Sequence, residues 1–280
     1  MIIWLASYPK SGNTLLRSIL ATYFYSNDGD FKFKHLYKIS QFPAVEHFIN
    51  LGINTSEDGE IFKNFIEAQK KINKNNPRVK FFKTHSSLCK LNGCNFTDEH
   101  NTLGVIYIVR DPRNVVTSFA HHYNMSIDDA TKAMIDENRF FTKTDLMHRS
   151  FLSSWKFNFN SWKIWDEKNK YLLIKYEDLV NKKRTVLIRI FKFLKTLGAI
   201  KNELDMVKLN RTIKSTEFQK MKKMENTETF HESVIDEKTG KKKIFFNLGP
   251  KNNWRQILDD KNREKIENSF GDEMKELGYL

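Results

Sequence analysis

The first 20 residues constrain the fold more than any other stretch of the chain. Ile2, Ile3, Trp4, Leu5 and Ala6 form an apolar run of the kind buried in a parallel strand. Tyr8 and Pro9 end it, because Pro9 fixes its own φ and biases Tyr8 toward extended backbone. From Gly12 onward the pattern becomes helical, with Leu15, Leu16, Ile19 and Leu20 on one face. A strand, a short turn and a helix N-terminus in that order make an anion site, since free backbone N–H groups and the positive end of the helix dipole both point into the turn.

The turn is close to a phosphate-binding GxxxxGK[ST] loop, and its departures are informative. With Gly12 and Thr14 aligned to the loop's Gly and Ser/Thr, Ser7 stands at the first Gly and Asn13 at the Lys. The lysine has moved back to Lys10. A kinase uses the loop lysine and Mg²⁺ to neutralise a triphosphate; a donor with less charge on its transferring group can rely on a loop lysine and backbone amides. The block Tyr8, Pro9, Lys10, Ser11, Gly12, Asn13, Thr14 resembles the 5′-phosphosulfate loop of sulfotransferases that use 3′-phosphoadenosine 5′-phosphosulfate (PAPS). The resemblance implies that Lys10, Ser11, Gly12, Asn13 and Thr14 hold the donor. Leu15 departs from it, standing where the family often has an adenine-stacking Trp.

Later segments extend the resemblance. Val79 to His85 reads as a short strand delivering Lys83 and His85 to its carboxyl end, the edge at which open parallel sheets bind ligands. Histidine titrates near neutrality and suits proton abstraction from a hydroxyl. Lys83-Thr84-His85 resembles the family's catalytic strand, which implies His85 as general base and Lys83 on the transferring sulfonate, with Lys10 also stabilising the transition state. Gly104 to Val109 is the strongest buried strand, followed by Arg110, by Asp111 as helix N-cap and by Pro112 in the first turn. Arg110 and Ser118, eight residues apart, resemble the family's 3′-phosphate motif. Tyr171 to Tyr176 reads as another buried strand, leading to Glu177, Asp178 and Leu179 and a long amphipathic basic helix through about Thr196. Tyr176, Thr216, Phe218 and Met221 match the family's adenine-contacting positions. Gly249 and Trp254 match its late Arg-Lys-Gly…Trp loop, where Asn247 and Leu248 replace the Arg-Lys pair and Lys251 is the nearest basic substitute.

Between these blocks the chain is less readable. Residues 26–76 read as a helical excursion over one end of the sheet, and 126–149 as a polar helix; both are expected to wall an acceptor pocket. Trp155, Phe159, Trp162 and Trp165 recur at helical spacing and are expected in the core. Residues 226–243 are expected to be a mobile hairpin or loop, and the last 25 residues one exposed helix. Cys89 and Cys94 read as ordinary thiols in a reducing cytoplasm. With no apolar run of about 20 residues and no leader before the first strand, a cytoplasmic location is expected. The net charge of +13 attracts anions without choosing among nucleotides, nucleic acid, glycans and lipid head groups.

The 280 residues therefore predict a single α/β domain, a P-loop-like mostly parallel sheet with helices on both faces. The expected reaction is metal-independent sulfonate transfer from PAPS to a small-molecule, glycan or lipid acceptor bearing a hydroxyl or amine. No nucleic-acid partner is expected, and nothing in the sequence sets the oligomeric state. Two other readings compete. A nucleotide kinase needs a lysine at position 13 and a carboxylate for Mg²⁺, and Asn13 argues against it. A basic polyanion-binding protein without catalysis would use the +13 surface alone, yet its charges are spread along the chain with no binding motif.

Overall fold

The computed structural model describes residues 1–75, 79–228, 230, 232, 240 and 243–280. The strands are β1 (Ile2–Ala6), β2 (Lys80–Thr84), β3 (Lys90–Leu91), β4 (Cys94–Asn95), β5 (Thr102–Val109), β6 (Phe140–Phe141), β7 (Ser150–Phe151) and β8 (Tyr171–Lys175). The first six helices are α1 (Asn13–Tyr25), α2 (Asp58–Lys63), α3 (Phe65–Asn75), α4 (Pro112–Tyr123), α5 (Ile127–Ile135) and α6 (Trp155–Ser161). The remaining six are α7 (Tyr176–Asn181), α8 (Lys183–Thr196), α9 (Met206–Ser215), α10 (Phe218–Glu225), α11 (Trp254–Ile257) and α12 (Asp260–Glu276).

Four strands form the central sheet in the order β2-β1-β5-β8, and every pairing is parallel. Ala6 is in register with Thr84 on one side and Tyr107 on the other, so the strands finish nearly in step and open onto one edge. Alternate residues feed two cores, as the period of 2 requires. Ile2, Trp4, Ala6, Val105, Tyr107 and Val109 pack on one face beneath α4, α5, α6 and α12. Ile3, Leu5, Ile106, Ile108 and Ile174 pack on the other beneath α1, α8 and α9. This is the doubly covered α/β arrangement read from the apolar runs. Trp155, Phe159, Trp162 and Trp165 are buried in the first core, as their spacing implies.

Several expectations need correction. The segment 126–149 is not one helix: α5 ends at Ile135, and the chain continues through β6, which pairs antiparallel with β7. Asp136 leaves helical geometry at the C-cap, and farther on the Phe140 ring packs against Phe151, their centroids 4.9 Å apart. The basic helix after β8 is broken at Lys182 into α7 and α8. The C-terminal helix α12 is not simply exposed, since Ile266, Phe270 and Met274 lie at a spacing of four and are buried against the first core. Residues 26–75 do form a helical excursion, of short turns followed by α2 and α3. Part of it covers the sheet edge: Phe42 donates to the Lys83 carbonyl and Lys83 to the Ser40 carbonyl, both at 2.9 Å. The hairpin expected at 226–243 falls largely outside the described residues.

Candidate active site

The turn after β1 carries two residues in left-handed backbone, Lys10 at φ 64 and Gly12 at φ 102. A Cβ on Gly12 would sit 2.4 Å from Cδ2 of Tyr176, so the loop passes under that ring only as glycine. No side chain of the described residues caps α1, which leaves its first N–H groups for an anion. The Asn13 side chain turns away from the loop and donates to the Leu5 carbonyl at 2.8 Å and to Ser7 Oγ at 3.2 Å, tying the helix start to the strand. Ser11 Oγ is buried without a partner among the described residues. Lys10 Nζ lies 4.1 Å from the Phe245 ring centroid, and burial pushes its pKa down to about 7 against the pull of Glu232.

β2 delivers Lys83 and His85 beside that loop. Nδ1 of His85 is 2.8 Å from the Ser7 carbonyl oxygen. A carbonyl can only accept, so Nδ1 carries the proton and Nε2 keeps its lone pair. Burial first, then the neighbouring Lys83, pushes the imidazole pKa down to about 3, which keeps the ring neutral. The strand exit is fixed from behind: Asn158 of α6 donates to the His85 carbonyl at 2.9 Å, and Trp162 Nε1 to the Ser86 carbonyl at 3.0 Å.

Arg110 directly follows β5, and its guanidinium lies 4.3 Å from the Tyr176 ring centroid. It donates to the Lys10 and Gly249 carbonyls, each at 3.3 Å, while its Nε is buried and unpartnered among the described residues. Asp111 caps α4 by accepting from the Arg113 N–H at 3.0 Å, as the sequence predicts. Phe218 and Met221 of α10 complete this end, and a Cβ on Gly249 would lie 2.1 Å from Phe218 Cε2.

These groups share one cavity of about 560 Å³, within the range of small-molecule sites. Lys10, Gly12, Asn13, Thr14, Lys83 and His85 line one part of it. Arg110, Ser118, Tyr176, Phe218, Met221 and Gly249 line another. Three residues singled out from the sequence stand apart. Ser11 and Thr216 are buried off the lining, Thr216 Oγ1 donating to the Thr212 carbonyl at 2.7 Å. Lys251 is exposed in a neighbouring cavity of about 510 Å³ with Asp111, Glu177 and Trp254. A cation that does reach the Asn247 position is Lys222, whose Nζ donates to the Asn247 carbonyl at 2.8 Å.

Sequence reasoning missed Arg17 and Glu232. Arg17 is buried on α1, donates to the Leu36 and Ile39 carbonyls at 3.1 and 3.0 Å, and pairs with the Glu232 carboxylate. Glu232 also accepts from Thr14 Oγ1 at 2.8 Å and from Lys83 Nζ at 3.3 Å. The contact between Arg17 and Glu232 spans 215 residues, so no local pattern signals it. His122 and Tyr123 at the end of α4, with Phe141, Met147 and Phe245, give the rest of the cavity an aromatic and apolar wall.

A helix start with no side-chain cap among the described residues, clustered cations and a neutral imidazole at the carboxyl edge of a parallel sheet define a class: an α/β protein with a cationic anion site at its sheet edge. The sequence matches the family described as Sulfotransferase domain over residues 2–278. It is 26% identical to Sulfotransferase 2A1 of Macaca fascicularis across 97% of this chain and 83% of that protein. It is 25% identical to Luciferin sulfotransferase of Photinus pyralis across 79% of this chain, which spans only 56% of that relative. Among solved structures, mouse sulfotransferase SULT7A1 complexed with PAP superposes with a TM-score of 0.61 at 18% identity, covering 98% of this chain and 84% of that one. Retinol dehydratase in complex with androsterone and inactive cofactor PAP gives 0.61 at 16% identity, covering 98% and 80%. The chain belongs to the sulfotransferase domain family, an enzyme class that moves sulfonate groups.

Proposed function

We propose that the chain transfers a sulfonate group from PAPS to a hydroxyl or amine of a small-molecule, glycan or lipid acceptor. The observation that carries this reading is the convergence of Lys10, Lys83 and His85 in one cavity with Arg110. The residues present fit such a donor: the start of α1 has no side-chain cap among the described residues, and the buried Ser11 Oγ and Arg110 Nε lack partners there. Lys10 and the amides of Ser11 to Thr14 would hold the 5′-phosphosulfate. Arg110 and Ser118 would take the 3′-phosphate, and Tyr176, Phe218 and Met221 the adenine.

His85 Nε2, bare because Nδ1 is committed to Ser7, would accept the proton of the acceptor. As the acceptor's oxygen or nitrogen bonds to sulfur, the bond from sulfur to the bridging phosphate oxygen breaks, and 3′,5′-adenosine bisphosphate leaves with that electron pair. Lys10 would stabilise the charge growing on the bridging oxygen and Lys83 that on the equatorial oxygens. An imidazole of so low a basicity takes a proton best once bonding to sulfur has made it acidic, so proton transfer accompanies attack rather than preceding it. Protein cations neutralise the transferring group, which supports a reaction without a divalent metal. The aromatic wall of Tyr123, Phe141 and Phe245 supports an acceptor with an apolar body. The free thiols Cys89 and Cys94 support a cytoplasmic setting, and among the described residues no helix is long and apolar enough to cross a membrane.

A thermal-shift comparison of 3′,5′-adenosine bisphosphate, ATP and an oligonucleotide tests the reading, since each stabilises only a protein that binds it. The bisphosphate alone should raise the melting temperature. Stabilisation by ATP with Mg²⁺ alone would favour a kinase, and by the oligonucleotide alone a polyanion binder.

A further inference from the structure

The cavity holds an anion of its own. Both carboxylate oxygens of Glu232 are engaged, Oε1 by Arg17 and Lys83 and Oε2 by Thr14. Arg17 and Lys83 are themselves buried, and Lys10 and Arg110 line the same cavity. Gathered cations of this kind repel one another and disfavour the folded state unless an anion sits among them. Burial alone would raise the carboxyl pKa of Glu232, but Lys83, Arg17 and the Thr14 hydroxyl outweigh it and hold the group well below the usual carboxylate range. Its charge is therefore held at neutral pH.

Two of its three partners already have a place in the proposed donor site: Thr14 lies in the first turn of α1, and Lys83 near the end of β2, two residues before His85. We infer that Thr14, Arg17 and Lys83 form the oxyanion cradle that receives the donor's sulfonate, and that Glu232 is its resting occupant, a built-in competitor that the sulfonate displaces. This rests on the donor reading above and adds to it a binding residue, Arg17, and a resident anion, Glu232. The planar guanidinium suits the role, because Arg17 can keep Nη2 on the Leu36 and Ile39 carbonyls while Nη1 is passed from the carboxylate to a sulfonate oxygen. The exchange makes and breaks no covalent bond. One anion replaces another on the same three donors.

The consequence separates two nucleotides that differ only in the sulfonate. 3′,5′-Adenosine bisphosphate lacks that group and leaves Glu232 where it is, whereas PAPS must expel it. Calorimetric titration of wild type and Glu232→Gln with each nucleotide, without acceptor, reads the difference. Glu232→Gln should tighten PAPS by about tenfold or more, the scale of one charge-assisted contact no longer given up, and change the bisphosphate by less than about threefold. Arg17→Gln should weaken PAPS by at least about tenfold with a smaller effect on the bisphosphate. Melting temperatures identify a variant that has simply lost its fold, and the Glu232→Gln pair of titrations then stands by itself. Equal tightening of both nucleotides by Glu232→Gln would reduce Glu232 to a general field effect and overturn the inference. So would no change, or weaker PAPS binding. If wild type binds neither nucleotide, the donor reading itself is wrong; if it binds both and Glu232→Gln does not discriminate, only the cradle is.

Discussion

The Ser7 carbonyl and the His85 ring are joined by a 2.8 Å hydrogen bond that links the ends of adjacent strands β1 and β2. It decides which nitrogen of His85 can act as a base and holds the imidazole next to the Lys10 loop. His85→Asn should lower turnover by roughly 10² to 10⁴, the range for loss of a positioned base. The affinity for 3′,5′-adenosine bisphosphate should be almost unchanged. Equal losses in turnover and nucleotide affinity would assign His85 to structure or donor binding instead.

Lys10, if it holds the donor as proposed, should make binding depend on pH in a definite direction. In the free protein burial lowers its pKa to about 7, and a bound anion raises it again. Binding 3′,5′-adenosine bisphosphate at about pH 8 should therefore take up a proton, and affinity should fall as pH rises above about 7. Calorimetry in two buffers of different ionisation enthalpy measures the uptake directly. Proton release, or none, would show that Lys10 does not meet the nucleotide.

His85 and His122 should contribute an acid limb to stability. Burial is the first cause of both shifts, and both pKa values are depressed to about 3. A depressed histidine favours the fold fully above the unfolded value of about 6.5, and that contribution is lost as pH falls through the folded value. The melting temperature should drop between about pH 6.5 and 4, and less steeply in His122→Gln than in wild type. Parallel curves would mean that His122 is solvated.

Arg110, proposed to take the 3′-phosphate, should separate that group from the rest of the donor. A hydrogen bond to a charged group contributes roughly 1.5–3 kcal/mol, and about 1.4 kcal/mol is tenfold in affinity. Arg110→Ala should weaken 3′,5′-adenosine bisphosphate by at least about tenfold and Ser118→Ala by less, with little effect of either on 5′-AMP. Arg110 also holds the Lys10 and Gly249 carbonyls. If 5′-AMP weakens equally, that bracing is its main role.

Gly249→Ala tests the closeness of the late loop to α10. The added methyl would fall 2.1 Å from Phe218 Cε2, at a φ of 53 that side chains rarely adopt. The ring must move, and nucleotide affinity should fall along with a loss of roughly 1–3 kcal/mol in stability. Unchanged binding and melting would show that the loop and α10 are free to part.

Much of this site is legible along the chain because its parts are local. A strand, a turn and a helix start sit within the first 25 residues, and Arg110, Asp111 and Pro112 announce a strand end and a capped helix in three consecutive positions. What could not be read is what depends on distant partners. Arg17 looks like an ordinary polar position on an amphipathic helix until Glu232 is beside it. Lys251 is close to the family position in sequence but turns into a different cavity, while Lys222, from another helix, reaches Asn247. On α12, Ile266, Phe270 and Met274 keep a spacing of four, but the charges around them make the segment read as exposed until the first core lies beside it.

The order β2-β1-β5-β8 turns the sheet into a ruler. Adjacent strands lie about 4.8 Å apart, so three intervals set the Lys83 end and the Tyr176 end roughly 14 Å from each other. Each intervening strand offers its own marking: the Lys10 turn after β1, then Arg110 after β5. Backbone hydrogen bonding, not side-chain packing, sets those divisions, so evolution can exchange the chemistry at one mark without shifting the others. A substitution beside Lys83 and one beside Tyr176 are then separate problems, each free to change while the other stays fixed.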